Sequence, residues 1–301
     1  MSEKTKLEKV LGENEMYRAV IRAGGTSTQV QLVLDEITPV ICAQLSPEDI
    51  VAHMRTVYDE TGSIYASLPE HQQVTDELLE FMELPHLRNG DRIIDLGCGP
   101  LARDTIFLSY GDKDARLRLM GRMRNGRTTR ERFNIPVIGF DVLGVDGSPE
   151  VVSLATQRLA IKKDEWRDGE SYFFRSRIRS ADIHDVSRVI AETFHGAWSC
   201  AALFTHTPKP LVLPALISIA AILEPKGVFG VSYSGSNGGA YDNLRYSRTG
   251  RVKYFSRPHA SMIASSAEQA GFYLLKESHS DLEQDGVIQK DFFTTQFFQK
   301  H

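Results

Sequence analysis

The stretch Arg92-Ile93-Ile94-Asp95-Leu96-Gly97-Cys98-Gly99-Pro100 decides how this chain is read. A short apolar strand ends in an acid, a glycine-rich turn follows, and a helix is expected to begin near Ala102. In an open α/β sheet, ligands bind beyond the carboxyl ends of the strands, and glycines there let the backbone approach a ligand closely. Outward from this point, residues 92–96, 137–145, 172–178, 198–204 and 228–233 read as strands. Helical stretches at 150–161, 186–193 and 211–223 separate several of them. Continuous apolar strands alternating with helices predict a parallel sheet covered on both faces. A helix at 259–270 precedes two last strands, 272–276 and 292–298, whose short connection through Asp285-Gly286 makes them antiparallel.

The residues before the sheet read as helical. Leu7, Val10 and Leu11 begin one amphipathic pattern that Gly24-Gly25 stops, and Val30, Leu32, Val33, Leu34 and Ile37 begin another. Ser46-Pro47-Glu48-Asp49 combines a capping hydroxyl, a proline where no N–H is needed and two acids at the positive helix end. That helix is expected to run to about Tyr58, and a further one covers 74–84. The expected architecture is an α/β, Rossmann-like doubly wound seven-stranded sheet with an antiparallel last strand (residues 86–301), under an N-terminal helical cap (residues 1–85).

Composition narrows the classes. Of 301 residues, 42% are hydrophobic and 25% charged, which suits a globule with a sizeable core and excludes a disordered or collagen-like chain. No run of apolar residues is long enough for a membrane helix, and MSEKTKLEKV lacks the apolar core of a secretory signal. Cys42, Cys98 and Cys200 are odd in number and far apart, so they read as reduced, inert thiols of a cytoplasmic protein and not as a metal cage. The net charge of -4 gives no global reason to expect nucleic acid. One segment departs from this balance. Between 110 and 134, Lys113, Arg116, Arg118, Arg122, Arg124, Arg127, Arg130 and Arg132 face only Asp112, Asp114 and Glu131, a local charge of +5.

Two cofactor classes compete for the glycine turn. Gly97-x-Gly99-x-x-Ala102 formally fits the dinucleotide fingerprint, but the acid needed about 20 residues on, at the end of the next strand, is missing. Asp114 lies instead in a charged run, and Asp95 would sit close to a pyrophosphate. An acid at that place suits a cofactor with a positive end.

Several further segments resemble, in order, the class I S-adenosylmethionine-dependent methyltransferases of small-molecule type. Asp95-Leu96-Gly97-Cys98-Gly99-Pro100 is similar to that family's first motif, and Leu143-Gly144-Val145-Asp146-Gly147-Ser148-Pro149-Glu150 to the end of its second strand. Ala181-Asp182-Ile183 resembles the acid after the third strand, and Phe204-Thr205-His206-Thr207-Pro208 the exit from the fourth. Leu223-Glu224-Pro225-Lys226-Gly227-Val228 resembles the turn before the fifth. Tyr58-Asp59-Glu60-Thr61-Gly62-Ser63-Ile64-Tyr65 resembles the Y-D-x-x-A-x-x-Y cap, with Gly62 in place of alanine. The likeness spans about residues 55–300. It implies S-adenosylmethionine as cofactor, S-adenosylhomocysteine as product and no metal. Asp95 is then expected at the ammonium, directly or through water, Asp146 on the ribose hydroxyls and Asp182 with Ile183 at the adenine. Tyr58, Tyr65, Gly97, Gly99, Gly147, Ser148 and Leu203 complete the expected cofactor contacts.

Two features depart from the family pattern. The distance from Gly99 to Asp146 is too long, and the excess is the arginine-rich insertion. Gly196-Ala197-Trp198 also stands where many relatives place an aspartate. His206, at the mouth of the fourth strand, is the candidate acid/base, because an imidazole takes up a proton near neutral pH. Tyr233 is the second catalytic candidate, and with Tyr241 and Tyr246 it is expected to shape the acceptor pocket. Plainer readings stand beside these: a loop histidine, half-buried packing tyrosines at 58 and 65, and Asp182 as a helix cap. The arginine segment suits a lid clamping an anionic acceptor, an RNA-facing arm or a solvated insertion, with RNA the least favoured because no aromatic residues interleave. The expected function is therefore methyl transfer to a small molecule, of the kind met in specialised metabolism. An RNA methyltransferase, a non-catalytic cofactor-binding protein and a dehydrogenase are the rival readings, and a homo-oligomer stays open.

Overall fold

The computed structural model describes residues 4–68, 74–109, 139–165, 175–235, 241–247, 249–284 and 287–301. The arginine-rich insertion, the first residues expected in the second and third strands and the Asp285-Gly286 turn lie outside them.

Nine strands form two sheets among the described residues. The large one has the order β3-β2-β1-β4-β5-β9-β8. Its parallel part is β1 (Arg92–Leu96), β2 (Asp141–Asp146), β3 (Ser176–Ser180), β4 (Phe194–Cys200) and β5 (Leu223–Ser234). β9 (Val287–Lys300) runs antiparallel between β5 and β8 (Phe272–Gln284). The order reverses between β1 and β4, so a crevice opens beyond their carboxyl ends. The doubly wound sheet with an antiparallel strand is as the sequence predicts.

Both faces of the sheet are covered, which is why its strands read as unbroken apolar runs. On one face Ile94, Leu96, Leu143, Val145, Phe229 and Val231 pack under α8 (Val212–Ile222) and α9 (Ala260–Gln269). On the other, Ile93, Val142, Trp198 and Phe297 meet α5 (Asp76–Met82) and α6 (Arg103–Ser109). α7 (Pro149–Glu165) closes the edge through Ala155 and Leu159. α5 was expected in the cap, but Leu78, Phe81 and Met82 are fully buried against the sheet.

Residues 186–193 do not form the expected helix; only a single tight turn, Val186–Arg188, is present. A helix of those eight residues would reach about 12 Å at 1.5 Å per residue, short of the roughly 17 Å that a five-residue strand spans. The chain returns to the start of β4 in a more extended form.

The cap proper is α1 (Lys6–Glu13), α2 (Glu15–Arg22), α3 (Ser27–Cys42) and α4 (Pro47–Ser67). The single amphipathic pattern expected before Gly24 is two helices, because Asn14 ends α1 and its side chain caps α2. α4 starts on a capping box, in which Ser46 Oγ accepts from Asp49 N–H and the Asp49 carboxylate accepts from Ser46 N–H. It continues past Tyr58, its expected end, to Ser67. A Cβ on Gly62 would lie 3.3 Å from Val151 and 3.4 Å from Leu154 of α7, so the missing side chain lets the two helices approach.

A second sheet was not foreseen. β6 (Asp242–Tyr246) and β7 (Val252–Ser256) form an antiparallel hairpin inserted after β5. Leu244, Val252 and Tyr254 enter the core of the cap helices. The Gln31 amide of α3 donates to the Leu244 carbonyl and accepts from Tyr246 N–H, and His53 Nε2 bonds the Val252 carbonyl. Gln31 thus satisfies one edge of β6 as a neighbouring strand would. The hairpin and helices α1–α4 form one layer over the crevice.

Candidate functional site

The crevice is a cleft walled by three sets of residues: the turns after β1 and β2, the segments after β3 and β4, and one face of α4. Each wall follows from local chemistry.

After β1 the chain turns through Gly97 (φ 79°) and Gly99 (φ 65°), a backbone region that glycine adopts without strain. A Cβ on Gly97 would lie 2.3 Å from the Ala202 Cβ, so that position also needs glycine for space. Asp95 itself is 2% exposed and lies beneath the turn. Its carboxylate accepts from Thr105 Oγ1 at 2.7 Å. Burial, and then the neighbouring Asp104 carboxylate, push its pKa up. Asp95 therefore holds the turn onto α6 and does not line the cleft as expected. Asp104 is in turn held by Arg103 and by Trp198 Nε1 at 2.9 Å, a buried polar cluster under the turn.

After β2, Asp146 reaches the cleft. One carboxylate oxygen accepts from Ser148 N–H at 3.0 Å and the other from Gly99 N–H at 3.4 Å, which joins the two turns. Burial raises its pKa to about 6, and these backbone donors limit the rise. Ser148 Oγ donates to Asp59 of α4 at 2.5 Å. Asp59 thereby pins the cap to the start of α7, a role that the Tyr58-Asp59 pair did not disclose in the sequence.

After β3, Asp182 accepts from His184 N–H at 2.9 Å, contacts His184 Nδ1 at 2.9 Å and meets Arg55 at 3.4 Å. Burial pushes this carboxyl up, yet the His184 bonds and charge outweigh it and hold the pKa at about 2. Its bond to the N–H two residues on closes a local turn, not a helix cap, and the carboxylate also faces the cleft. Ile183 lines the same wall. After β4, Cys200, Ala201 and Ala202 line the opposite side. Ala201 has φ 52°, costly for a residue with a Cβ. Burial pushes the Cys200 thiol up to about 12, so it is an inert wall.

From α4, Val51, Met54, Arg55, Tyr58 and Tyr65 face the cleft at helical spacing. Extending the helix beyond Tyr58 in the sequence would have exposed this stripe, because Tyr65 follows Tyr58 by two turns. Tyr58 meets His206 at 2.8 Å through its hydroxyl. The other ring nitrogen of His206 lies 2.8 Å from the Tyr254 carbonyl, which only accepts. Nδ1 therefore carries the hydrogen, and Nε2 accepts from the Tyr58 O–H. Burial, and then the charge of Lys253, lower the His206 pKa to about 3. Burial also raises the tyrosines, Tyr65 to about 12.

Besides Asp95, two of the expected site residues lie outside the cleft lining. Tyr233 is fully buried, packs on Phe204 and donates to Gln296 at 2.9 Å, so it neither lines the cleft nor reaches an acceptor. Alternation along β5 sends it into the core. Leu203 is also fully buried beneath the tight turn after β4. Tyr241 bonds the Thr207 carbonyl, and Tyr246 packs in the cap. The other expected residues, His206, Tyr58, Tyr65, Gly97, Gly99, Asp146, Gly147, Ser148, Asp182 and Ile183, are brought together in one cleft.

A residue that the sequence reading passed over stands behind this wall. Lys253 of β7 is 1% exposed. Its Nζ lies 4.1 Å and 3.8 Å from the ring centroids of Tyr58 and Tyr65. Burial lowers its pKa to about 7. Among the described residues no group of three metal-ligating side chains occurs, and no helix is long and apolar enough to cross a membrane.

No protein-family profile matches the chain, and no characterised protein matches it in sequence. Solved structures do match it in fold. The 1,6-didemethyltoxoflavin-N1-methyltransferase of Burkholderia thailandensis superposes with a TM-score of 0.54 at 17% identity, covering 85% of this chain and 91% of that one. Magnesium protoporphyrin IX methyltransferase of Synechocystis gives 0.54 at 14% identity, with 85% and 98% covered. The [4+2]-cyclase SpnF gives 0.52 at 15%, with 82% and 95% covered. The chain has the Rossmann-like fold of the class I S-adenosylmethionine-dependent methyltransferases.

Proposed function

We propose that this chain binds S-adenosylmethionine in the cleft and transfers its methyl group to a small-molecule acceptor. The observation that carries the reading is the meeting of two turns at the reversal of strand order. The Gly97–Gly99 backbone admits no side chain at its closest point, and Asp146 presents a carboxylate beside it. Both methyltransferase neighbours named above were crystallised with S-adenosylmethionine or S-adenosylhomocysteine.

The residues present suit that molecule. Asp146 offers acceptor oxygens to a ribose diol, Asp182 and Ile183 suit the adenine, and the Gly97–Pro100 backbone suits the amino-acid end. Arg55 joins the cap to Asp182 and would close that side. Bound there, S-adenosylmethionine supplies a methyl carbon made electrophilic by its sulfonium.

The chain's own part is positioning and exclusion of water. α4 closes the cleft from above, pinned by the Asp59–Ser148 bond. Tyr58 gives its hydrogen to His206, so its oxygen lone pairs remain to accept a hydrogen bond from an acceptor hydroxyl or amine. His206 was the candidate base. Its buried, weakly basic ring and its fixed tautomer suit it better to orienting Tyr58 than to storing a proton.

Fold alone does not fix the reaction, since a cyclase shares it. The test is transfer of a labelled methyl group from S-adenosylmethionine to a panel of small hydroxyl, carboxyl and amine acceptors, with tRNA as the nucleic-acid arm. Label in a small molecule, lost in Asp146→Ala, is expected. Cofactor binding with no S-adenosylhomocysteine formed across the panel contradicts methyl transfer, and label in tRNA alone favours the RNA reading.

A further inference from the structure

The segments that follow β3 and β4 meet above the first glycine turn. Ile183 Cδ1 lies 4.0 Å, and Ala202 Cβ 2.3 Å, from the place that a Cβ on Gly97 would take. One side chain of the cleft wall, His184, joins the two segments by hydrogen bonds. Its Nδ1 lies 2.9 Å from Asp182 Oδ1, and its Nε2 lies 3.0 Å from Thr207 Oγ1. Thr207 is fully buried, and the His184 side chain is 12% exposed.

The partners of His184 fix its hydrogens. Thr207 has one hydroxyl hydrogen and gives it to the Leu203 carbonyl, which only accepts. Thr207 Oγ1 therefore turns lone pairs to His184, and Nε2 must donate. The Asp182 carboxylate only accepts, so Nδ1 donates as well. Either neutral tautomer would set a ring lone pair against an oxygen lone pair at one of these contacts, and only the imidazolium satisfies both. Its counter-charge is Asp182, since Asp185 in the same segment pairs with Arg188. Asp182 is left with unequal oxygens. Oδ1 takes two hydrogens from His184, one from the ring and one from the backbone N–H, each at 2.9 Å. Among the described residues Oδ2 meets the Arg55 guanidinium alone, at 3.4 Å, and so keeps acceptor capacity to spare.

We propose that His184, with both ring nitrogens protonated, is the positioning residue that sets the base selectivity of the cleft: it holds Asp182 by Oδ1, so that Oδ2 accepts from the 6-amino group of adenine and repels a 6-oxo base. His184 offers the base no polar atom of its own, because both nitrogens are spent on Asp182 and Thr207. A carboxylate held in one orientation discriminates, because an oxo group in place of the amine faces it with a lone pair and leaves it unpaired. The assignment rests on the reading of the cleft as a methyl-donor site with Asp182 at the adenine.

The experiment is calorimetric titration of the full chain with S-adenosylhomocysteine and S-inosylhomocysteine, whose bases differ in the 6-amino or 6-oxo group. The wild-type protein is expected to prefer the adenosyl compound by at least about tenfold. Two variants divide the ring. In His184→Asn the amide nitrogen takes the place of Nδ1 and can still hold Asp182, so the preference should stay within about threefold of wild type. In His184→Gln it takes the place of Nε2 and reaches Thr207 instead, so the preference should fall to about threefold or less. Nitrogen NMR of the unliganded wild type, with His184 assigned by its absence from His184→Asn, should show both ring nitrogens protonated at about pH 7. Equal binding of the two compounds by wild type, a preference that survives in folded His184→Gln, or a singly protonated His184 ring would each overturn the proposal. The wild-type ratio and the ring spectrum decide it even if His184→Gln does not fold. Binding of neither compound would count instead against the methyl-donor reading on which the assignment rests.

Discussion

The two sides of the cleft are built in different ways. The cofactor side is made of turns that immediately follow β1, β2 and β3, and its acids are already engaged by hydrogen bonds from adjacent residues. The side proposed for the acceptor is assembled from α4 and the segment after β4, far apart in the chain and backed by the β6–β7 hairpin, and behind it lies a buried lysine with no ion pair among the described residues. A binding site made of consecutive residues carries its own geometry. One made of distant pieces depends on the cap docking correctly, and its specificity can change without touching the first.

The largest effect is expected on the cofactor side. Asp146→Ala should weaken S-adenosylhomocysteine binding by about a hundredfold or more, the loss of two hydrogen bonds to a charged acceptor, as read by calorimetry. The unliganded protein should also melt somewhat lower, because the Ser148 and Gly99 N–H groups lose the acceptor that joins the two turns. Gly97→Ala comes next. It forces a Cβ to within 2.3 Å of the Ala202 Cβ in a left-handed backbone conformation. A stability loss of about 2–3 kcal/mol is expected in denaturant titration. If Gly97→Ala is harmless, the turn is looser than the account requires.

The pH dependence of the same side has a definite sign. Asp146 must be ionised to accept two ribose hydroxyls, and its pKa is raised to about 6. Affinity for S-adenosylhomocysteine should therefore fall as pH drops below 6, by up to about tenfold per unit. Unliganded stability responds in the opposite direction. A carboxyl with a raised folded pKa contributes stability that is fully present below its unfolded pKa and is lost as pH rises through about 6. Binding that is flat between pH 5 and 8 would remove Asp146 from the ribose.

Smaller effects belong to the acceptor side. Tyr58→Phe removes the hydroxyl bonded to His206 and should lower turnover about tenfold while leaving cofactor affinity within about twofold. An equal loss of both would move Tyr58 to the cofactor side of the comparison. Smallest of all, Tyr233→Phe should cost about 1 kcal/mol of stability through its lost bond to Gln296, with no change in binding or turnover.

How much of this was legible in the sequence follows the same division. The strand-turn-helix pattern at 92–102 and the acids at 146 and 182 place themselves, because a strand end fixes where the next residues point. The cap was legible only in part. The helix expected to end near Tyr58 runs on through Gly62, a contact point with α7, so the Tyr58–Tyr65 stripe was cut short. The motif marks Asp95, but that it lies buried beneath the turn and accepts from Thr105 follows only from packing. Tyr233 was assigned by nearness in sequence to the fifth strand's end, and alternation sends it inward. Lys253 gave no local signal. No strand was expected at Val252–Ser256, and only the docking of the hairpin beside α4 buries the lysine.

Both sides of the comparison depend on S-adenosylmethionine binding in the cleft. Its most direct test is calorimetric titration of the purified chain with S-adenosylhomocysteine and, in parallel, NADH. Micromolar binding of S-adenosylhomocysteine, absent for NADH and lost in Asp146→Ala, is the predicted result. A folded protein that binds no S-adenosylhomocysteine at millimolar concentration, or that binds NADH instead, would contradict it.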